Sequence, residues 1–248
     1  MQMRKLFLHV GLAKCGSTSL QAALSSATGI LFPPAGNHGG EHLAFALHIR
    51  GIDAWTHQYF DETWVETETT RLMDEIHSGS GTVVLSSERL AACSPEEIAR
   101  IAAILAGFDV HVIIVGRDVT SYLNSTWRHA VFFHDYGESY ETFVNLRKDL
   151  SFAEVDEAFG AVFPVHRFRM DAPDYIEKIS ALLGTNLDIS RLNVGVPMAF
   201  AELLQKIHAL LGSEEFKKRF NAETKEAMLA VWNGEATTQI AAMDTILF

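Results

Sequence analysis

Leu6-Phe7-Leu8-His9-Val10-Gly11-Leu12-Ala13-Lys14-Cys15-Gly16-Ser17-Thr18-Ser19-Leu20 runs from a short apolar segment through a glycine-bounded turn into a helical pattern. Leu6 to Val10 reads as a buried strand, because aliphatic and aromatic residues dominate it and a glycine ends it. Ser17 to Leu24 reads as the helix that follows. Such a junction turns successive backbone N–H groups and a helix N-terminus toward one point, which makes an anion cradle.

Working outward, the same unit recurs. Thr82 to Leu85 and Val110 to Val115 are further β-branched runs, each followed by a polar turn and a helical pattern, and Pro164 to Phe168 reads as a fourth strand. A helix is expected over Asp61 to His77, with Trp64, Leu72 and Ile76 on one face. Ser94-Pro95-Glu96-Glu97 carries a capping residue, proline at the first helical position and glutamate at N3, ahead of Ile98, Ile101 and Leu105. Further helices are expected over Val119 to Phe133, Tyr140 to Leu146 and Pro173 to Leu183, the last closed by Gly184. The C-terminal part reads as helical, with Phe200, Leu203, Leu204, Ile207, Leu210 and Leu211 in an apolar stripe. Alternating strands and helices imply right-handed crossovers and a mostly parallel sheet covered on both faces. The expected fold is therefore a three-layer α/β sandwich with a helical C-terminal part, one domain over residues 1–248, and a ligand site at the carboxyl ends of the strands.

Composition narrows the function. The 248 residues are 48% hydrophobic and 21% charged, as in ordinary globular proteins. Lys and Arg total 20 against 31 Asp and Glu, a net charge of −11, which argues against a nucleic-acid partner bound by broad phosphate neutralisation. A local basic site for a small anion is compatible with that balance. Cys15 and Cys93 have neither disulfide-framework nor zinc spacing. No apolar run approaches the ~20 residues of a membrane span, and Leu6 to Val10 is too short for a signal peptide, so a soluble cytoplasmic protein is expected.

Gly11 and Gly16 have the G-x-x-x-x-G spacing of a Walker loop, yet Ser17 stands where the Walker lysine belongs and the lysine, Lys14, lies inside the loop. The pattern K-x-G-[ST]-[ST]-[ST]-[LIV] at Lys14 to Leu20 resembles the 5′-phosphosulfate loop of sulfotransferases that use 3′-phosphoadenosine 5′-phosphosulfate (PAPS). The resemblance implies that Lys14 stabilises the leaving phosphate and that Gly16, Ser17, Thr18 and Ser19 form the cradle. The plainer alternative is a strand-to-helix turn in which Ser17 caps the helix. Cys15 reads as a small spacer whose thiol the helix N-terminus would acidify.

A second segment carries the same resemblance. His111-Val112-Ile113-Ile114-Val115-Gly116-Arg117-Asp118 ends a strand in arginine, and Ser125 follows two helical turns later. In sulfotransferases such an arginine and serine grip the 3′-phosphate of PAPS, a task suited to the planar guanidinium fork. Ser121 is the fallback partner for Arg117. Arg191, in Arg191 to Pro197, resembles the late loop that closes over the nucleotide, with Gly195 where relatives often have serine. The family resemblance implies a P-loop NTPase-like α/β fold, PAPS as co-substrate and no metal.

Sulfuryl transfer to a hydroxyl calls for a general base. Glu88, at the end of the second core strand, is one candidate. His42, in the glycine-rich segment Pro33 to Ala44 with His38 and Glu41, is the other. The plainer readings are a carboxylate at the start of the next helix and a solvated loop. His38 and His42 lack a third zinc ligand. The remaining histidines, His9 among them, have no motif around them, and Trp127, Phe132, Phe133, Tyr136 and Tyr140 read as core aromatics.

Three functions fit these residues. The first is a PAPS-dependent sulfotransferase acting on a hydroxyl or amine of a glycan, glycolipid or small metabolite. The second is a nucleotide or small-molecule kinase, disfavoured by Ser17 and by the absence of an aspartate after Thr82 to Leu85. The third is a PAPS-binding protein without turnover.

Overall fold

A computed structural model describes residues 3–54, 56–147, 152–188 and 196–233. In chain order the elements are β1 (Arg4–His9), α1 (Ser17–Ser26), β2 (Ile30–Leu31), α2 (Leu43–Arg50), α3 (Glu62–Ser78), β3 (Thr82–Ser86), α4 (Pro95–Ile104), β4 (Phe108–Gly116), α5 (Val119–His134), α6 (Tyr140–Asn145), α7 (Ala153–Gly160), β5 (Val165–Arg169), α8 (Tyr175–Leu183), α9 (Met198–Leu211), α10 (Ser213–Arg219) and α11 (Ala222–Trp232). Contacts divide the chain into two compact units, Met1–Asp118 with Ser151–Asn193, and Val119–Leu150 with Val194–Phe248.

The first unit is a three-layer α/β sandwich. Its five strands run parallel in the order β2-β3-β1-β4-β5, as the alternation of strands and helices predicts. Side-chain alternation along each strand separates two cores. Leu6, Leu8, Val83, Leu85, Val112 and Ile114 face α2, α3, α4 and α7. Phe7, Val84, Ile113 and Val115 face α1 and α8. β1 is central, so the loop that leaves it emerges at the middle of the carboxyl edge.

Local signals account for most boundaries. Ser94 accepts from the Glu97 N–H while the Glu97 carboxylate accepts from the Ser94 N–H, the expected capping box of α4. Gly184 closes α8 at φ 68°, where a side chain would be strained. The structure adds β2, α2 and α7 to the expected elements. β2 spans two residues and carries no periodic signal. Helix α2 begins directly after the segment read as a glycine-rich loop, and all but His48 and Arg50 of its residues are buried.

The second unit is helical. Leu123, Trp127 and Val131 of α5 pack with Phe143 of α6, Phe200 and Leu204 of α9, and Phe216 of α10. Lys225 is buried and pairs with Asp135 at 2.7 Å. Of the expected core aromatics, Trp127 and Phe132 are buried and Tyr136 and Tyr140 pack against them, whereas Phe133 is 54% exposed.

Candidate anion-binding site

The loop between β1 and α1 begins on the strand ladder, where the Val10 N–H donates to the Ile113 carbonyl at 2.9 Å. Gly16, in the left-handed region at φ 82°, is the residue preceding α1, and no side chain caps the helix. Ser17 is therefore the first helical residue and not its cap, which sets aside the plainer sequence reading. No side-chain acceptor therefore caps the first-turn N–H groups. Thr18 is exposed and Ser19 half-buried on the same turn.

Lys14 sits at the turn of the loop with φ 63°. Its carbonyl oxygen accepts from Arg117 Nη1 at 2.9 Å, which ties the loop to the end of β4. The Arg117 Nε is buried and without a hydrogen-bond partner among the described residues. Burial pulls the Lys14 pKa down, and Glu88 opposes that shift.

Glu88 opens a 3-10 turn, Glu88–Ala92, immediately beyond β3. Burial raises its pKa first, Glu41 adds to the rise, and Ser17 and Lys14 oppose it. The carboxyl group is thus within electrostatic reach of the lysine and of the first hydroxyl of the loop. The Ser17 hydroxyl is buried and closes no hydrogen bond of ordinary length, so it approaches Glu88 without being satisfied by it. Glu41 accepts from the Ser87 hydroxyl at 2.7 Å and lies 3.7 Å from the Arg89 guanidinium.

His42 is placed differently from a solvated loop residue. It is buried, its Nδ1 accepts from the Ser86 N–H at 3.0 Å, and its Nε2–H donates to the Pro33 carbonyl at 3.0 Å. Its own N–H donates to the Ser86 carbonyl at 2.7 Å. Both ring nitrogens are spent on backbone groups, and burial pulls the pKa to about 4. His38 bridges Glu41 through the backbone and stacks edge-on against Phe60 at 4.9 Å. Among the described residues no group of three His, Cys, Asp or Glu is placed to hold a metal ion.

The Cys15 thiol corrects another expectation. The helix N-terminus does not acidify it; burial, Glu88 and Asp171 push it up to about 12 against the opposing pull of Arg117. Met170, just past β5, packs on Gly16, where a Cβ would stand 3.4 Å from its Cε. Lys14, Gly16, Ser17, Glu88 and Arg117 thus gather in the first unit. Ser125 is half-buried on α5 in the second unit, with Ser121 on the same helix. Arg191 lies outside the described residues.

Residues without a sequence motif also meet the loop. Gly11 is required by close approach, because a Cβ there would stand 2.6 Å from Ser17 Oγ and 2.9 Å from His9 Cε1. His9 and Gln21 join Ser86 in a buried hydrogen-bonded group. The one available signal was a histidine inside an apolar strand directly ahead of the loop.

No protein-family model matches the chain, and no curated protein matches it significantly in sequence. Among solved structures, the fold is similar to a sulfotransferase from Alicyclobacillus acidocaldarius, with TM-score 0.53 and 18% identity over 94% of this chain and 97% of that one. At that identity the likeness is one of fold. A mouse sulfotransferase, SULT7A1, complexed with PAP, aligns with TM-score 0.42 and 13% identity over 86% of this chain and 68% of that one. No helix among the described residues is long and apolar enough to cross a membrane.

Proposed function

We propose that this protein transfers a sulfuryl group from PAPS to a hydroxyl or amine of a glycan, glycolipid or small metabolite, in the cytoplasm. The observation that carries the reading is the position of Lys14, inside the loop, with Glu88 beside it. A lysine there meets a phosphosulfate bridge, whereas a Walker lysine reaches along a triphosphate.

The residues present fit the donor. The α1 N-terminus with no side-chain cap, the buried Ser17 hydroxyl and the Arg117 Nε, which has no partner among the described residues, are donors suited to a phosphosulfate. In the reaction the acceptor oxygen bonds to sulfur as its proton passes to Glu88, and the bond from sulfur to the bridging oxygen breaks. The electron pair leaves on the 5′-phosphate of adenosine 3′,5′-bisphosphate, where the Lys14 ammonium stabilises it. Glu88 is the proposed base over His42, whose nitrogens are occupied. Arg117 remains a proposed 3′-phosphate ligand, and the family resemblance proposes Ser125 and Arg191 as further nucleotide-binding residues.

Calorimetric titration with adenosine 3′,5′-bisphosphate, adenosine 5′-phosphosulfate and ATP with Mg²⁺ tests the reading. Micromolar binding of the bisphosphate that weakens without the 3′-phosphate is expected. Binding of ATP with Mg²⁺ alone would replace it with a kinase. Bisphosphate binding without turnover on any acceptor would leave a nucleotide-binding protein.

A further inference from the structure

His9 ends β1 and is 1% exposed, with its Nδ1 2.8 Å from Ser86 Oγ. Gln21 Nε2 donates to the same oxygen at 3.0 Å. A hydroxyl has one proton, and with Gln21 donating, the remaining neighbour able to accept it is His9 Nδ1. The imidazole proton is then on Nε2. Burial alone draws the His9 pKa to about 4, so the ring is neutral throughout the working range.

That Nε2–H is buried and has no hydrogen-bond partner among the described residues. Ser17 Oγ closes no hydrogen bond of ordinary geometry either, and the acceptor it leans toward is the Glu88 carboxylate. Both lie at one spot, because the position a Cβ of Gly11 would take is 3.1 Å from His9 Nε2 and 2.6 Å from Ser17 Oγ. A buried donor lacking an acceptor, next to a buried hydroxyl that leans on Glu88 without closing an ordinary bond, calls for an explanation in function.

We infer that His9 is a positioning residue for the loop: when a sulfate or phosphate oxygen draws the Ser17 hydroxyl proton away from Glu88, the His9 Nε2–H takes up the hydroxyl oxygen and holds it on the anion. The inference rests on the anion-cradle reading and extends it beneath the loop. The links from Gln21 to Ser86 and from Ser86 to His9 are already made; with the anion bound, donation runs on from His9 to Ser17 and to the anion, and each bond polarises the next. No net charge enters the chain of donors, so the cradle gains a strengthened donor without a second buried cation. Gly11 keeps the path open.

Two measurements test this on the full chain. Long-range ¹H–¹⁵N spectra of the histidines, with and without adenosine 3′,5′-bisphosphate, should show His9 as the Nε2–H tautomer, its Nε2–H proton moving downfield when the bisphosphate is added. An Nδ1–H tautomer, or an Nε2–H signal indifferent to a bisphosphate that does bind, overturns the inference. Calorimetry then compares His9→Asn, which keeps a polar group near Ser86 but none at the Nε2 position, with His9→Gln, whose amide reaches it. Loss of about tenfold in bisphosphate affinity for His9→Asn, with most of it restored in His9→Gln, is the expected pattern for one charge-assisted network bond. Wild-type affinity in a folded His9→Asn overturns the inference alone. Failure of the wild-type protein to bind the bisphosphate, pyrophosphate or sulfate overturns the cradle reading and this inference together. Should His9→Asn not fold, the wild-type spectra decide.

Discussion

Arg117 Nη1 donates to the Lys14 carbonyl oxygen at 2.9 Å, so the end of β4 grips the loop that leaves β1 at its lysine. Lys14 has φ 63°, a left-handed conformation that costs a non-glycine residue ~1 kcal/mol. The charge-assisted bond offsets that cost and fixes the direction in which the lysine side chain leaves the loop.

The two residues therefore fail differently when removed. Arg117→Ala should weaken adenosine 3′,5′-bisphosphate binding by ~10–100-fold, since it loses a guanidinium donor and frees the loop. Lys14→Ala should chiefly slow turnover, by ~10²–10³-fold, because its charge is needed most as the phosphate departs. Calorimetry and steady-state kinetics separate the effects, and wild-type behaviour in both variants would remove the assignment.

Glu88 should set the acid limb of the pH–rate profile. Its neutral form is favoured by burial and by Glu41, its charged form by Ser17 and Lys14, and the balance raises its pKa. A base works as the carboxylate, so kcat/KM is expected to fall as pH drops through a limb above the ordinary carboxylate range. Glu88→Gln should lower turnover by ~10²–10⁴-fold with little change in bisphosphate affinity. Glu41→Gln removes a like charge and should move the limb to lower pH. An unmoved limb in Glu41→Gln, with activity retained, would show that Glu88 is not the titrating group.

Contiguous segments made part of this legible in sequence. The strand, loop and helix from Leu6 to Leu24 are encoded by adjacent residues, as is the end of β3 that carries Glu88, so the sheet core and the loop at its carboxyl edge could be read directly. His42 could not be placed, because its partner Ser86 lies 44 residues away, at the end of β3, and the fold of the Pro33 to Ala44 segment onto that strand end is not encoded locally. Its glycine-rich surroundings suggested solvent while the apolar run from Leu43 already marked a buried helix. Cys15 was misread for the same reason, since the burial that governs its thiol is supplied by distant chain.

His42 should be a determinant of stability. Replacing it by leucine strands the Ser86 N–H and the Pro33 carbonyl, at about 1–3 kcal/mol for each buried group left unpaired. Its pH effect has a definite sign. The folded pKa of about 4 lies below the unfolded 6.5, so between those values the unfolded chain binds a proton that the folded chain refuses. Stability is complete above pH 6.5 and declines as pH falls toward 4, by roughly 2 kcal/mol at pH 5. His9 acts in the same direction. Urea titrations at pH 7.5 and 5 should show a smaller pH difference in His42→Leu than in wild type. An equal difference would mean that His42 is not the source.

Gly11→Ala tests whether the loop depends on close packing beneath it. A Cβ at this position would stand 2.6 Å from Ser17 Oγ and 2.9 Å from His9 Cε1, distances at which one neighbour must move. His9 is held by Ser86 and backed by β3, so it has little room. Ser17 begins α1, and shifting it displaces the first-turn N–H groups proposed to form the cradle. The expected result is loss of bisphosphate affinity by more than about tenfold, since misplacing preorganised donors by tenths of an ångström weakens every bond they make. The sheet itself should survive, because Gly11 lies beyond the last strand residue of β1. Calorimetry together with thermal unfolding measures both, and a Gly11→Ala variant that binds the bisphosphate as tightly as wild type would show that the contact with His9 and Ser17 is not what shapes the cradle.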